Sequence, residues 1–372
     1  MTATPPAKSY TAKAGAELTI VVPTFNEREN VELLLARLDA ALGEIAWEVV
    51  YVDDDSPDGT ADKVRALAQG DPRVRCLQRI GRRGLATAVI EGMLASSAPY
   101  LAVIDADLQH DETLLPQMLA AIRASDLDIV VGSRHVAGGG LGEWDRRRVT
   151  ISNVAARLAR LVVAADLTDP MSGFFMVSRP AFERCVRRLS GQGFKILLDL
   201  FASTPVAFRF VEMPYIFGQR QHGESKLDSF VIWEYLMLLV DKLVGRYVPA
   251  RFISFAAIGS FGVVVHFTML YLGLKLAPFP VAQAIAALVA MTSNFLLNNM
   301  LTYRDRRLTG RRLVTGLLSF YAVCSLGAVA NVGIASAAFA EHYTWWASGL
   351  AGVAVGVVWN YAVSSVFTWR RK

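Results

Sequence analysis

Only three cysteines occur in 372 residues, and Cys76, Cys185 and Cys324 lie far apart without metal-ligand spacing. No disulfide framework is expected, in keeping with a reducing compartment. No Gly-x-Gly-x-x-Gly follows the first strand-like run, and there is no Gly-Lys-Ser/Thr loop. These absences argue against a Rossmann dehydrogenase and a P-loop NTPase. No recognised nucleic-acid module is present, and much of the basic charge flanks apolar runs, so nucleic acid is not an expected partner. Residues 1–16 are rich in Pro, Ala, Thr and Lys and lack the apolar core of a signal peptide. They read as a disordered tail, which leaves the residues after them in the cytoplasm.

The chain is 53% hydrophobic with a net charge of +5. Its mean hydropathy is +0.35 and its pI about 9.1. Those values suit a protein facing anionic lipid and phosphate. The apolar residues are unevenly spread: a mixed globular pattern gives way to long apolar runs broken by short basic loops. The expected organisation is a tail (1–16), an α/β head (17–229), a juxtamembrane helix (230–249) and a membrane domain (250–372).

Strand-like runs at Leu18–Val22, Trp47–Val52, Val74–Leu77, Tyr100–Ile104 and Ile129–Val131 alternate with helical spacing at Asn30–Leu42, Thr60–Ala68, Gly84–Ser96 and Glu112–Ala124. That alternation implies βαβ units and a mostly parallel, Rossmann-like sheet. Three of the strands end in polar clusters: Asn26/Glu27, Asp53–Asp55, and Asp105/Asp107. Open α/β sheets bind ligands at the carboxyl ends of their strands, where all three clusters should meet. If the chain stays extended, Asp105 and Asp107 point the same way and can face one hard cation, Mg²⁺ or Mn²⁺. A solvated carboxylate pair in a loop is the alternative. Glu27 also fits a helix start favoured by the dipole. His110 reads as structural rather than as a ligand, and Phe174 and Phe175 as packing residues.

Taken together, Pro23-Thr-Phe-Asn-Glu-Arg-Glu-Asn30, Asp53-Asp-Asp-Ser-Pro-Asp-Gly59 and Asp105-Ala-Asp-Leu-Gln-His110 resemble family 2 glycosyltransferases of the GT-A fold. The narrower resemblance is to polyprenyl (dolichyl) phosphate mannose synthases. Gly132-Ser-Arg134, Met171-Ser-Gly-Phe-Phe175, Gly193-Phe-Lys-Ile-Leu197 and Gly223-Glu-Ser-Lys-Leu227 add to it. The resemblance implies that Pro23, Phe25, Glu27, Val52 and Asp54 line the nucleoside pocket. It implies that Asp105, Asp107 and Gln109 hold the metal, with Ala106 beside the diphosphate. Arg134 and Arg148 would grip the lipid phosphate, with Ser152 nearby, and Arg220 and Lys226 would lie on a closing loop. Two departures stand out: Asp111-Glu112 replaces a frequent Pro-Pro, and His222 stands where relatives are often basic. The Arg146–Arg148 run also fits a solvated or lipid-facing surface.

A lipid monophosphate acceptor needs no general base, because its second pKa of about 6 leaves it largely dianionic at neutral pH. The expected reaction is therefore in-line attack by its oxygen on the sugar C1, with inversion and no covalent intermediate. The similarity around Asp105–His110 and Gly193–Leu197 favours GDP-mannose over UDP-glucose or another UDP-sugar. A lipid-sugar flippase with a nucleotide-sugar-binding head is a different-class reading, and intact carboxylates at three strand ends argue against it. A processive polysaccharide synthase would carry a Gln-x-x-Arg-Trp-like signature, which is missing.

Four spans are expected near Phe252–Leu272, Val281–Leu301, Leu313–Ala337 and Trp346–Phe367. Basic residues lie before the first, between the second and third, and after the fourth. The positive-inside rule then places both termini, and the head, in the cytoplasm of a multi-pass membrane protein. Phe230–Val240 is too short to span and fits either an interfacial helix or one docked on the head. Asn294–Arg304 resembles Asn360–Arg370, which suggests a duplicated two-span unit. The four-span region is similar to GtrA-like domains. Its intramembrane Asn294, Asn331, Asn360 and His266 are expected as interhelical hydrogen-bond partners or as markers of a pathway.

Overall fold

Five strands form where apolar runs predict them: β1 (Leu18–Thr24), β2 (Trp47–Asp53), β3 (Val74–Gln78), β4 (Tyr100–Val103) and β5 (Ile129–Ser133). Between them lie helices α1 (Asn30–Leu42), α2 (Thr60–Gly70), α3 (Leu85–Leu94) and α4 (Leu115–Ala124). The computed structural model describes residues 15–140, 146–163, 165–191, 193–219, 229–245 and 247–370. The chain divides into two compact units, Met1–Leu243 and Val244–Lys372.

The first unit continues through α5 (Arg146–Ala159), β6 (Phe175–Ser178), α6 (Arg179–Cys185), α7 (Ile196–Ser203), β7 (Phe210–Pro214) and α8 (Ser229–Val244). Its seven-stranded sheet runs β3-β2-β1-β4-β6-β5-β7. β1 pairs in parallel with β2 and β4, β2 with β3, and β5 with β7, while β6 is antiparallel to both β4 and β5. The fold is thus a mostly parallel GT-A-type sheet with one inverted strand inside it. Alternate residues of a strand face opposite layers, and each layer has its own core. Val21, Val50 and Val103 pack into one core, and Ile20, Val49 and Ile104 into the other. Burial on both faces explains why these strands read as unbroken apolar runs.

α8 docks on the head along one face. Tyr235, Leu238 and Leu239 enter the first core. The Tyr235 hydroxyl donates to the Ala155 carbonyl, and the Lys242 ammonium pairs with buried Asp199 of α7. Ile232, Leu236 and Leu243 stay exposed on α8 and form an apolar stripe.

The second unit is helical: α9 (Ala250–Gly273), α10 (Phe279–Leu297) followed by a π-helical turn at Asn298–Thr302, α11 (Arg311–Ala340) and α12 (Trp345–Phe367). Among the described residues, Ala250–Gly273, Phe279–Thr302 and Arg311–Ala338 are long and apolar enough to cross a membrane. The fourth expected span coincides with α12, within which Ala351–Phe367 is apolar but shorter. α9 packs on α10, and α11 on α12. Contacts recur in matched places: Ser254 hydrogen-bonds Thr302 in one hairpin, and Ser319 hydrogen-bonds Thr368 in the other. Phe255 meets Tyr361 as Phe320 meets Phe295, and the rings of Tyr303 and Trp369 stack with centroids 4.1 Å apart.

Candidate active site

The register of β1 and β2 sets Pro23 opposite Val52 and Thr24 opposite Asp53. Two of the sequence-predicted donor-side residues are thereby level with each other. The loop after β1 turns at Asn26, whose φ is +58°, a left-handed conformation that asparagine tolerates better than most residues. It is stitched to the loop after β2: the N–H groups of Asn26, Glu27 and Arg28 donate to Ser56 Oγ, Thr60 Oγ1 and Asp58 Oδ2. Glu27 accepts from Asn30 Nδ2 at 2.7 Å, so it also serves the helix start. The Arg83 guanidinium lies over the Phe25 ring, 4.1 Å from its centroid.

Within Asp53–Asp55 the carboxylates do different jobs. Asp53 is fully buried and accepts from the Ser56 N–H and hydroxyl. Asp54 accepts from the Gly84 N–H at 2.7 Å and lies 3.3 Å from Arg79 Nε. Burial raises its pKa, against the Gly84 hydrogen bond and the Arg79 charge. Arg79 is itself buried and also holds the Gly84 carbonyl and Thr87 Oγ1. Nothing in the sequence singled out Arg79, since a charged residue after a strand normally reads as exposed.

β4 ends at Val103, and Asp105–Asp107 lies in a turn rather than in extended chain. Asp105 and Asp107 are therefore not alternate residues of an extended strand, and strand alternation does not align their carboxylates. The turn passes through Leu108 at φ +61°. Asp105 is half-buried, while Asp107 and Gln109 are buried and Ala106 is packed into the core. Asp107 Oδ1 accepts from the Gln109 N–H at 3.2 Å. Gln109 donates through Nε2 to the Gly218 carbonyl, which turns its amide oxygen toward the acceptor role. Two carboxylates and an amide oxygen are the hard oxygen donors that Mg²⁺ or Mn²⁺ prefers. Among the described residues there is no cluster of three or more His, Cys, Asp or Glu side chains arranged for a metal.

His110 is a structural residue, as expected. It is buried, stacks on Phe174 and accepts the Asp105 N–H through Nδ1 at 3.2 Å. Burial lowers its pKa to about 4 against the pull of Asp107, so it is neutral at pH 7. Gly173 lies close beside Asp105: a Cβ there would stand 2.9 Å from Asp105 Oδ2 and would push that carboxylate aside.

At the end of β5, Arg134 turns its fork inward. Nε and Nη2 each donate to the Asp169 carboxylate at 2.8 Å, and the Arg134 N–H adds a third bond at 3.1 Å. Burial alone would raise the Asp169 pKa, but the Arg134 hydrogen bonds and charge hold it below the usual carboxylate range. Asp169 stands two residues before the Met171–Phe175 segment, and no spacing rule pointed to it. Ser152 is half-buried on α5, one helical turn after Arg148, whose side chain lies outside the described residues. Arg220 and Lys226 also lie outside the described residues.

Residues 19–186 match the glycosyl transferase family 2 model, and residues 254–369 match the model of the GtrA/DPMS transmembrane domain. A family 2 glycosyltransferase domain followed by a GtrA/DPMS membrane domain is the class that fold and site define. The chain is 33% identical over 356 residues to the dolichol-phosphate mannosyltransferase of Pyrococcus furiosus, covering 95% of this chain and 99% of that protein. It is 36% identical over 253 residues to the protein of the same name from Saccharomyces cerevisiae, covering 66% of this chain and 93% of that one. The chain belongs to the dolichol-phosphate mannosyltransferase family. A solved glucosyl-3-phosphoglycerate synthase from Mycobacterium tuberculosis, in complex with Mn²⁺ and UDP, aligns at 19% identity with a TM-score of 0.44, over 63% of this chain and 80% of that one.

Proposed function

We propose that this chain transfers mannose from GDP-mannose to a polyprenyl or dolichyl phosphate at the cytoplasmic face of a membrane, with inversion at C1. One observation carries the reading: the similarity to mannosyltransferases runs through head and membrane domain alike, over 95% of the chain. The gathering of the Pro23–Glu27, Val52–Asp54 and Asp105–Gln109 segments at one sheet edge supports it. The basic segments around the membrane spans support the cytoplasmic placement of head and termini.

Asp105, Asp107 and Gln109 are the residues that would hold a divalent cation, whose charge would stabilise the departing diphosphate. The protein's own contribution is positional. The loops after β1 and β2 hold the nucleoside, and the β5 end with α5 holds the acceptor phosphate through Arg134 and Arg148. That phosphate is already a nucleophile, so the site needs to orient it and exclude water rather than remove a proton. Its oxygen bonds to C1 as the bond from C1 to the diphosphate oxygen breaks, and GDP leaves with the electron pair.

The test is radiolabelled transfer in membranes containing the full chain, supplied with polyprenyl phosphate, Mg²⁺ or Mn²⁺, and GDP-mannose or UDP-glucose. Label should enter the lipid from GDP-mannose and disappear with EDTA or in Asp107→Ala. Label from UDP-glucose alone would overturn the donor, and undiminished transfer in EDTA would overturn the metal.

A further inference from the structure

Lys195 lies in the loop before α7, and three ties fix that loop. Asp199 Oδ2 accepts the Ser190 and Gly191 N–H groups, and Ala86 of α3 donates its N–H to the Gly193 carbonyl. The Lys195 ammonium donates to the Met171 carbonyl at 2.9 Å. It lies 4.6 Å from the centroid of the Phe194 ring and forms no ion pair among the described residues. Arg134 is closed on Asp169 by two hydrogen bonds of 2.8 Å, so that pair brings little net charge to an incoming dianion.

The sheet order separates two halves of the edge. The β3-β2-β1-β4 half carries the donor-side segments, and the β6-β5-β7 half carries Arg134 and, on the loop leading into β6, Asp169 and Met171. Lys195 reaches the second half through Met171 and also stands near Asp105 at the end of β4, so it sits where the two halves meet. We propose that Lys195 is a phosphate-contacting residue of the acceptor subsite, its ammonium supplying the net positive charge that the Arg134–Asp169 pair does not. This rests on the reading of the protein as a lipid-phosphate glycosyltransferase. The charged and titratable groups around the amine are Arg134, Asp105, Asp169 and His110. A lysine held among them by its aliphatic stem and one carbonyl keeps two N–H donors for a phosphate oxygen.

Binding to the purified full chain tests this without turnover, by calorimetry with farnesyl phosphate as a short-chain acceptor probe and, separately, with GDP. Lys195→Met keeps the apolar stem and removes the charge; Lys195→Arg keeps the charge. The Met variant should bind farnesyl phosphate roughly 10- to 100-fold more weakly, as expected for a lost charged hydrogen bond, with GDP affinity within about twofold. The Arg variant should recover most of the loss. Unchanged farnesyl phosphate affinity in Lys195→Met would overturn the assignment while leaving the glycosyltransferase reading intact. A loss falling on GDP instead would assign the cation to the donor diphosphate and overturn the acceptor role. An unaltered chain that binds GDP but no farnesyl phosphate would overturn both readings. Equal losses in the Met and Arg variants would mark the residue as merely structural.

Discussion

Asp169 accepts three hydrogen bonds from one residue, and both partners are almost fully removed from solvent. Removing one member of such a pair strands the other charge, at a typical cost of about 3–5 kcal/mol. Asp169→Leu should therefore destabilise the protein by that amount, because Arg134 would be left buried with its charge uncompensated. Thermal melts check this, and a melting temperature equal to the parent's would refute it. The same pair sets a sign for pH. The folded pKa of Asp169 lies below its unfolded value, so its contribution is complete above about pH 4 and is lost as the pH falls through the lower folded value. Asp128 adds in the same direction: burial would raise it, but Arg184 and the Arg209 N–H lower it. Melts recorded from pH 7 downward should show a steep acid limb that is blunted in Asp169→Asn. An equally steep limb in the variant would assign acid sensitivity to other groups.

Elements were legible in proportion to how local their causes are. β1, β2, β4 and β5 announce themselves because each is an apolar run bounded by turn residues and buried on both faces, whereas β3 is a half-exposed edge strand. β6 did not: its four residues gain strand character from pairing with β4 and β5, which are far away in sequence. β7, with the mixed sequence Phe-Val-Glu-Met-Pro, is an edge strand held by β5 alone. The site was legible as residue types and less so as geometry. Asp105, Asp107 and Gln109 stand out in the sequence as candidate donors by residue type, but their turn does not, because a left-handed Leu108 has no sequence signature. Buried partners such as Arg79 and Asp169 were missed because burial of a charge is decided by tertiary packing. α8 shows the same dependence. Its Lys242 reaches Asp199, the carboxylate that also ties Ser190 and Gly191. Lys242→Met should lower stability by about 3 kcal/mol or more, since Asp199 stays buried with its charge uncompensated. Restoring stability by adding Asp199→Leu would support this. Limited proteolysis of 188–195, faster in Lys242→Met than in the parent, is the second measurement, and an unchanged rate would disconnect the helix from the loop.

At the scale of the whole molecule, one unit carries the chemistry, and the other is built from two similar halves. In each hairpin the second helix sets an asparagine against a glycine of the first: Asn294 against Gly262, and Asn360 against Gly327. A Cβ on Gly262 would lie 2.2 Å from Asn294 Oδ1, and one on Gly327 would lie 2.1 Å from Asn360 Oδ1. Small residues at such crossings let helix backbones approach within a membrane, where close packing replaces the hydrophobic effect as the source of association. Gly259 and Gly333 lie on the same first helices with nothing within 4 Å of a built Cβ. They are internal controls, sharing the helix-propensity gain of a Gly→Ala change without the clash. Gly262→Ala and Gly327→Ala should each cost about 1–3 kcal/mol of membrane-unit stability, the usual price of overpacking, while Gly259→Ala and Gly333→Ala should be neutral or slightly stabilising. Melting of the four variants in one detergent decides it. Parallel losses at 262 and 327 with none at 259 and 333 would mean that the two halves use one packing device twice. A loss at only one of the pair would break the equivalence, and similar losses at all four would reduce the effect to a general intolerance of bulk on these helices.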